Sequence, residues 1–157
     1  MKIKKILSII SLLILCLTLT SCVTITDNEK KFVDKLYSQQ IGEIEGLVID
    51  LRTRGTEAKE NNTFSGYHIS GAKSFDVNQD EDLESFINKI AGKKVTLFIV
   101  DSGNEEYIEV VEELKELGYK NIVVYTKGYE YLRTTEVFKE AIYEGTELFQ
   151  LIKTANN

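Results

Sequence analysis

The sequence has no proline, a single histidine, and only two cysteines, Cys16 and Cys22, both near the amino terminus. Each shortage removes a class of chemistry. One imidazole, with no thiol after Cys22, cannot assemble the nitrogen and sulfur ligand set of a structural zinc or iron–sulfur site. A disulfide framework needs paired cysteines, and the chain beyond residue 22 has none. Positive charge is also short: 19 Lys and Arg against 25 Asp and Glu leave a net charge of −6. Nucleic-acid binding relies on a basic surface that displaces counterions, so that function class is excluded. The one long apolar run, Ile6 to Leu19, is shorter than the roughly 20 residues that span a bilayer comfortably. In place of proline the chain is rich in Lys, Asn, Ile and Glu, a bias that an AT-rich coding sequence produces. No internal repeat or low-complexity segment is present.

The amino terminus reads as a targeting segment. Lys2, Lys4 and Lys5 precede the apolar run, which only Ser8, Ser11 and Thr18 interrupt among its aliphatic residues, and Leu19-Thr20-Ser21-Cys22 follows. A basic start, an apolar core and small residues before a cut site form a secretory signal. Leu-Thr-Ser-Cys resembles the bacterial lipobox, in which the cysteine thiol is acylated and the chain is cut just before it. The expected organisation is a lipoprotein signal peptide over residues 1–21, a lipidated flexible tether over 22–29 and a folded domain over 30–157. An uncleaved amino-terminal helix and a signal cut elsewhere are the alternatives. Cleavage before Cys22 would discard Cys16 and leave no free thiol. It would also remove three lysines and no acids, taking the net charge from −6 to −9. The expected partner is the lipid bilayer, through acylated Cys22, at a bacterial cell envelope and facing away from the cytoplasm.

The rest alternates in period. Phe32, Val33, Leu36 and Tyr37 stand at helical spacing within 30–41. Leu47 to Leu51 is a short apolar run that suits a parallel strand buried on both faces. A second short strand is expected near Lys73 to Phe75. A helix is predicted over 80–91, with Asp80 or Asp82 as its cap and Leu83, Phe86, Ile87 and Ile90 on one face. Val95 to Val100 is a β-branched strand. A helix follows over 104–117, with Asn104 as cap and Ile108, Val111, Leu114 and Leu117 buried. Asn121 to Tyr125 is the last strand, and an amphipathic helix over 136–152 closes the chain. Strands alternating with helices predict an α/β fold: a small single-domain parallel sheet with helices on both faces. Sites in such sheets form at the carboxyl ends of strands, so the loops after Leu51, Val100 and Tyr125 are the candidates.

Four segments carry a resemblance. Leu47-Val48-Ile49-Asp50-Leu51-Arg52 is followed by Gly66-Tyr67-His68-Ile69-Ser70-Gly71-Ala72. Then come Phe98-Ile99-Val100-Asp101-Ser102-Gly103-Asn104 and Gly118 to Gly128. In this order and spacing, over roughly residues 47–132, they resemble a rhodanese domain. The resemblance implies that Asp50 and Arg52 brace neighbouring loops by charge-assisted hydrogen bonds. It also implies that His68 is a hydrogen-bonded structural histidine fixing the turn that contains Gly71. In active members of the family the loop after the 95–100 strand begins with a nucleophilic cysteine. Backbone N–H groups at a helix start, helped by an arginine, cradle the anion there.

Here the sequence departs from that pattern. The cysteine position is Val100 and the arginine position is Glu105. The loop Val100, Asp101, Ser102, Gly103, Asn104, Glu105 and Glu106 therefore reads as a degenerate active site with no catalytic residue expected. Glu105 in the first helical turn would fill the cradle with negative charge. Asp101, Glu105 and Glu106 could supply hard oxygen ligands to a metal, but such a run of acids reads first as a solvated helix start, and no metal or cofactor is expected. Tyr125, Tyr129 and Tyr131 cluster where the family often has a double glycine and tryptophan. They read either as a recognition surface or as core wall. The expectation is a membrane-anchored binding or scaffold module, inactive in sulfur transfer, with a protein partner at the envelope. The alternative is a divergent sulfurtransferase using a thiol in trans, or a hydrolase using Asp101 or Ser102.

Overall fold

The computed structural model describes residues 22–57, 60–80 and 82–145. The predicted signal over 1–21 and the end of the predicted last helix, 146–152, lie outside the described residues. Strand β1 (Cys22–Thr26) leads into helix α1 (Glu29–Gln40), then β2 (Gly46–Asp50), β3 (His68–Ile69) and β4 (Lys73–Ser74). Helix α2 (Leu83–Ile90), strand β5 (Thr96–Val100), helix α3 (Tyr107–Glu116) and strand β6 (Asn121–Tyr125) follow. Two short helices, α4 (Tyr129–Leu132) and α5 (Glu136–Ala141), and strand β7 (Glu144–Gly145) complete the described chain.

Five strands form one parallel sheet in the order β1-β6-β5-β2-β4. Each inner strand is apolar along its length because both faces are covered. Val48, Phe98, Val100, Val123 and Tyr125 pack on one face with Phe32, Val33 and Leu36 of α1 and Phe138 of α5. Ile49, Leu97, Ile99, Ile122 and Val124 pack on the other with Leu83 and Ile87 of α2 and Val110, Val111 and Leu114 of α3. All five sheet strands lie within residues 22–145. Among the described residues, no helix is long and apolar enough to cross a membrane.

Caps set the helix starts. The Asn28 side chain accepts from Lys31 N (2.9 Å) and Asp82 from Ser85 N (2.7 Å), each satisfying an N–H with no partner inside the helix. Helix α3 ends in a Schellman pair, Gly118 N to Lys115 O (3.0 Å) and Tyr119 N to Leu114 O (2.9 Å).

Three expectations are corrected. Residues 22–26 are not a tether: they form the edge strand β1, in parallel register with β6 from Cys22 opposite Asn121 to Thr26 opposite Tyr125. Local polarity hid this, because an edge strand needs one pairing neighbour more than an apolar run. The helix predicted over 136–152 stops at Ala141. Ile142 turns extended, with φ −118° and ψ 137°, and β7 pairs antiparallel with β3, His68 opposite Gly145. Helix α3 begins at Tyr107 rather than Asn104, because Glu105 sits at φ 65°, outside helical geometry. Ile108, expected inside, is 47% exposed.

Candidate functional site

The loops after β2, β5 and β6 meet at one end of the sheet. The first is organised by charge. Asp50 closes β2 and Arg52 follows it, and both side chains are fully buried. Asp50 Oδ1 accepts from Arg52 N (3.1 Å) and Nε (2.9 Å), and Oδ2 accepts from an Arg52 terminal nitrogen (2.7 Å). This two-pronged pairing uses the planar fork of arginine. The guanidinium also donates to Tyr67 O (2.5 Å) and to Glu130 Oε1 (3.3 Å), and lies 4.1 Å from the Tyr129 ring centre. Glu130 in turn accepts from Asn62 N (3.1 Å). Arg52 thus ties the β2 loop to the segment before β3 and to α4. Sequence reading missed Glu130, which is 78 positions away and carries no local signal.

The β5 loop is built the opposite way. Val100 is fully buried within the core cluster. Asp101, also buried, accepts from Gly103 N at Oδ1 (2.9 Å), while Oδ2 has no hydrogen-bond partner. Burial pushes its carboxyl up to about 6, and the neighbouring Glu106 and Asp50 charges add to the shift. Glu106 turns back on the loop: Ser102 N donates to its Oε2 (2.9 Å) and Ser102 Oγ donates to its Oε1. The N–H groups of Ser102 and Gly103, two of the loop donors that would face an anion, are therefore taken by the chain's own carboxylates. The carboxylate filling the loop is that of Glu106, not Glu105. Asn104 caps nothing in α3, whose amino-terminal residue has no side-chain cap.

The β6 loop presses on this one. Tyr129 N donates to Asp101 O (2.9 Å). Gly128 has φ 79°, and a Cβ there would stand 2.7 Å from Ser102 O and 2.8 Å from Gly103 N. Only glycine fits that approach. Tyr125 and Tyr129 are fully buried, with hydroxyls that lack a hydrogen-bond partner; burial pushes both phenols well above the ordinary range. They are core wall and not a recognition surface. Tyr131 alone of the three is exposed, at 48%, with Lys127 Nζ 5.3 Å from its ring centre. His68 is buried, its Nδ1 2.9 Å from Phe64 O and its ring stacked on Phe64 at 4.2 Å. Burial pulls its pKa below the ordinary value, which favours the neutral ring. Gly71, at φ 80°, turns the chain between β3 and β4.

Outside the loop lies a groove between α3 and the segment leading into α2. Its two adjoining cavities, of about 620 and 600 Å³, share Ile108, Glu109 and Glu113. Among the described residues, no lysine or arginine lines either one. Asp80 pairs with Arg54, and Glu112 with Lys115. Among the described residues, no cation pairs with the Glu105, Glu109 or Glu113 side chain. No cluster of His, Cys, Asp and Glu suited to a metal ion occurs among the described residues.

With this geometry in view, a family model described as a rhodanese-like domain matches residues 33–134. The chain belongs to the rhodanese-like domain family. Among solved structures, the crystal structure of the Alr3790 protein from Anabaena sp. is similar, with TM-score 0.53 and 18% identity over 72% of this chain and 88% of that one. The solution structure of the rhodanese-like domain of the same protein gives TM-score 0.52 and 18% identity, over 73% of this chain and 78% of that one. At such identity the likeness speaks for the rhodanese-like fold alone. No curated protein gives a significant match.

Proposed function

We propose that this rhodanese-like domain carries out no sulfur transfer of its own and serves as a membrane-anchored binding module. One observation carries the reading. At the strand end where the family resemblance puts a nucleophilic thiol stands the buried Val100, and Glu106 occupies the loop donors behind it. Sulfur transfer needs a thiolate and a site that welcomes an anion. Neither requirement is met by a valine beside two inward-turned carboxylates. The test uses residues 22–157 with Cys22→Ser, so that no thiol remains. Incubated with thiosulfate and cyanide, it is expected to form neither thiocyanate nor a persulfide adduct by mass spectrometry; turnover above the uncatalysed rate would overturn the reading. The acidic groove along α3 is the surface offered for binding, and its uncompensated glutamates suit a cationic partner.

A hydrolase reading has one observation in its favour, the Ser102 Oγ hydrogen bond to Glu106. That contact pairs a hydroxyl with a carboxylate able to act as base. The same carboxylate also takes Ser102 N, a donor that an oxyanion would need. Failure of a fluorophosphonate probe to label Ser102 is the expected outcome.

Anchoring follows from the amino-terminal sequence. Acylation of Cys22 would replace its S–H bond by an S–C bond to a diacylglyceryl group, the proton leaving with the headgroup of the donor phospholipid. Stable attachment is expected once several acyl chains are in place, at about 0.8 kcal/mol per buried CH₂. In a bacterial host, metabolic labelling with an alkyne fatty acid should tag the wild-type chain and not Cys22→Ser.

A further inference from the structure

We propose that the end of the domain where the sheet strands begin is a membrane-apposed surface, held flush against the lipid headgroups, with the candidate site turned away from the bilayer. The proposal rests on acylation of Cys22 and adds what the fold does with that anchor. Cys22 is the first residue of β1, is exposed, and donates its N–H to Lys120 O at 2.7 Å. No spacer therefore separates the lipid attachment point from the folded domain. Strand β1 runs parallel to β6, and β6, β5 and β2 are parallel in turn. Strands β1, β6, β5 and β2 therefore all start at the anchored end, and the loops after Asp50, Val100 and Tyr125 lie at the other. A five-residue strand at about 3.3 Å per residue sets the two ends about 13 Å apart before any loop is added.

The side chains at the two ends agree with this placement. Ile41, which caps the end of α1, leaves its side chain 49% exposed. Exposed Lys93, Lys94 and Lys120 precede β5 and β6 at the same end. An exposed aliphatic residue among lysines suits a headgroup region, where apolar atoms and cations both find partners. Exposed Glu43 and Glu45 lie there too, so charge alone gives little affinity and the covalent anchor does the holding. The far end carries exposed Glu105 and half-buried Glu106, with exposed Lys127 in the loop after β6, so it offers an anionic surface no better match.

The chain suits a direct test because it has no tryptophan, and Cys22 is the only cysteine after residue 16. The 22–157 domain can be coupled through the Cys22 thiol to a maleimide-headgroup lipid in phosphatidylcholine vesicles. Single tryptophans report each end: Ile41→Trp and Lys94→Trp at the strand starts, Tyr131→Trp and Asn104→Trp at the strand ends. All four positions are exposed, and circular dichroism checks that each variant is folded. With a nitroxide on the lipid headgroup, quenching is expected to be several-fold stronger at Ile41→Trp and Lys94→Trp than at the other two. Equal quenching at both ends, or the reverse order, would overturn the proposal. This readout does not need acylation in the cell, so failure of the orientation and failure of the lipid anchor remain distinguishable.

Discussion

Asp50 and Asp101 stand at the ends of neighbouring strands, β2 and β5, and both are buried, yet their surroundings are opposite. Asp50 has both oxygens engaged by Arg52, two residues on. Asp101 has one oxygen on a backbone N–H, the other unpartnered, and a further carboxylate nearby. The first loop is a cross-brace. The second is a place where negative charge is penalised. A position at the strand ends is shared by both and decides little; the presence or absence of a counter-charge decides what each loop can do.

Removing one side of the brace should have the largest effect. Asp50→Ala leaves the Arg52 charge buried beside Glu130 alone and is expected to cost about 3–5 kcal/mol in urea unfolding. The double variant Asp50→Leu, Arg52→Met should recover much of that loss. If it does not, the pair is doing more than neutralising itself. Next in size is Gly128→Ala, which puts a Cβ against the Ser102 carbonyl at a positive φ. It should destabilise by more than about 1 kcal/mol and loosen the β5 loop, as read by hydrogen exchange at Ser102 and Gly103.

Asp101 gives a pH signature of definite sign. Its folded pKa, about 6, lies above the ordinary 3.8, so between these values the folded state binds the proton more tightly than the unfolded one. Its contribution to stability therefore falls as pH rises from about 4 to 6 and stays low above that. Allowing for solvent screening, the effect is roughly 1–2 kcal/mol. Asp101→Asn lacks this titration. The stability difference between variant and wild type should shift toward the variant by that amount between pH 4 and 7. A constant difference would mean that Asp101 is ionised throughout.

The thiol comparison is subtler. Val100→Cys places a thiol in the apolar core, one residue before Asp101 and near the loop that Glu106 closes, so its pKa should exceed the ordinary value of about 8.5. Adding Glu106→Gln should lower it by removing the inward charge, whereas Glu105→Arg acts only from the groove and should lower it less. Alkylation rates against pH decide the order. The smallest effect belongs to the tyrosines. Tyr131→Ala should fall within about 0.5 kcal/mol of wild type. Tyr125→Phe deletes an unpartnered buried hydroxyl and should be neutral or slightly stabilising.

Much of this was legible in sequence because its causes are local. Parallel strands buried on both faces must be apolar at every position, so Leu47 to Leu51, Val95 to Val100 and Asn121 to Tyr125 announced themselves. Asp82 and Gly118 marked helix ends by their own chemistry, and the rhodanese-like motifs placed Asp50, Arg52 and His68 beside turns. What stayed hidden depended on distant partners. Strand β1 exists because β6 offers an open edge; the β-branched alternation Val23-Thr24-Ile25-Thr26 is a strand signal, but it is short and says nothing of its partner. The last helix gives way at Ile142 because β3 is there to be paired. Tyr125 and Tyr129 could not be told from Tyr131 by composition, since burial is set by what packs against them.

Residue types and their spacing are enough to specify the alternating α/β order, the missing thiol and the excess of acid, since each is a property of residues one at a time or of their order. Packing in three dimensions settles which glutamate turns into the loop, how Arg52 gains its second acid across 78 positions, and which end of the sheet Cys22 occupies. Those are relations between groups far apart in the chain, and the balance of burial against pairing that fixes them exists only once the sheet has formed.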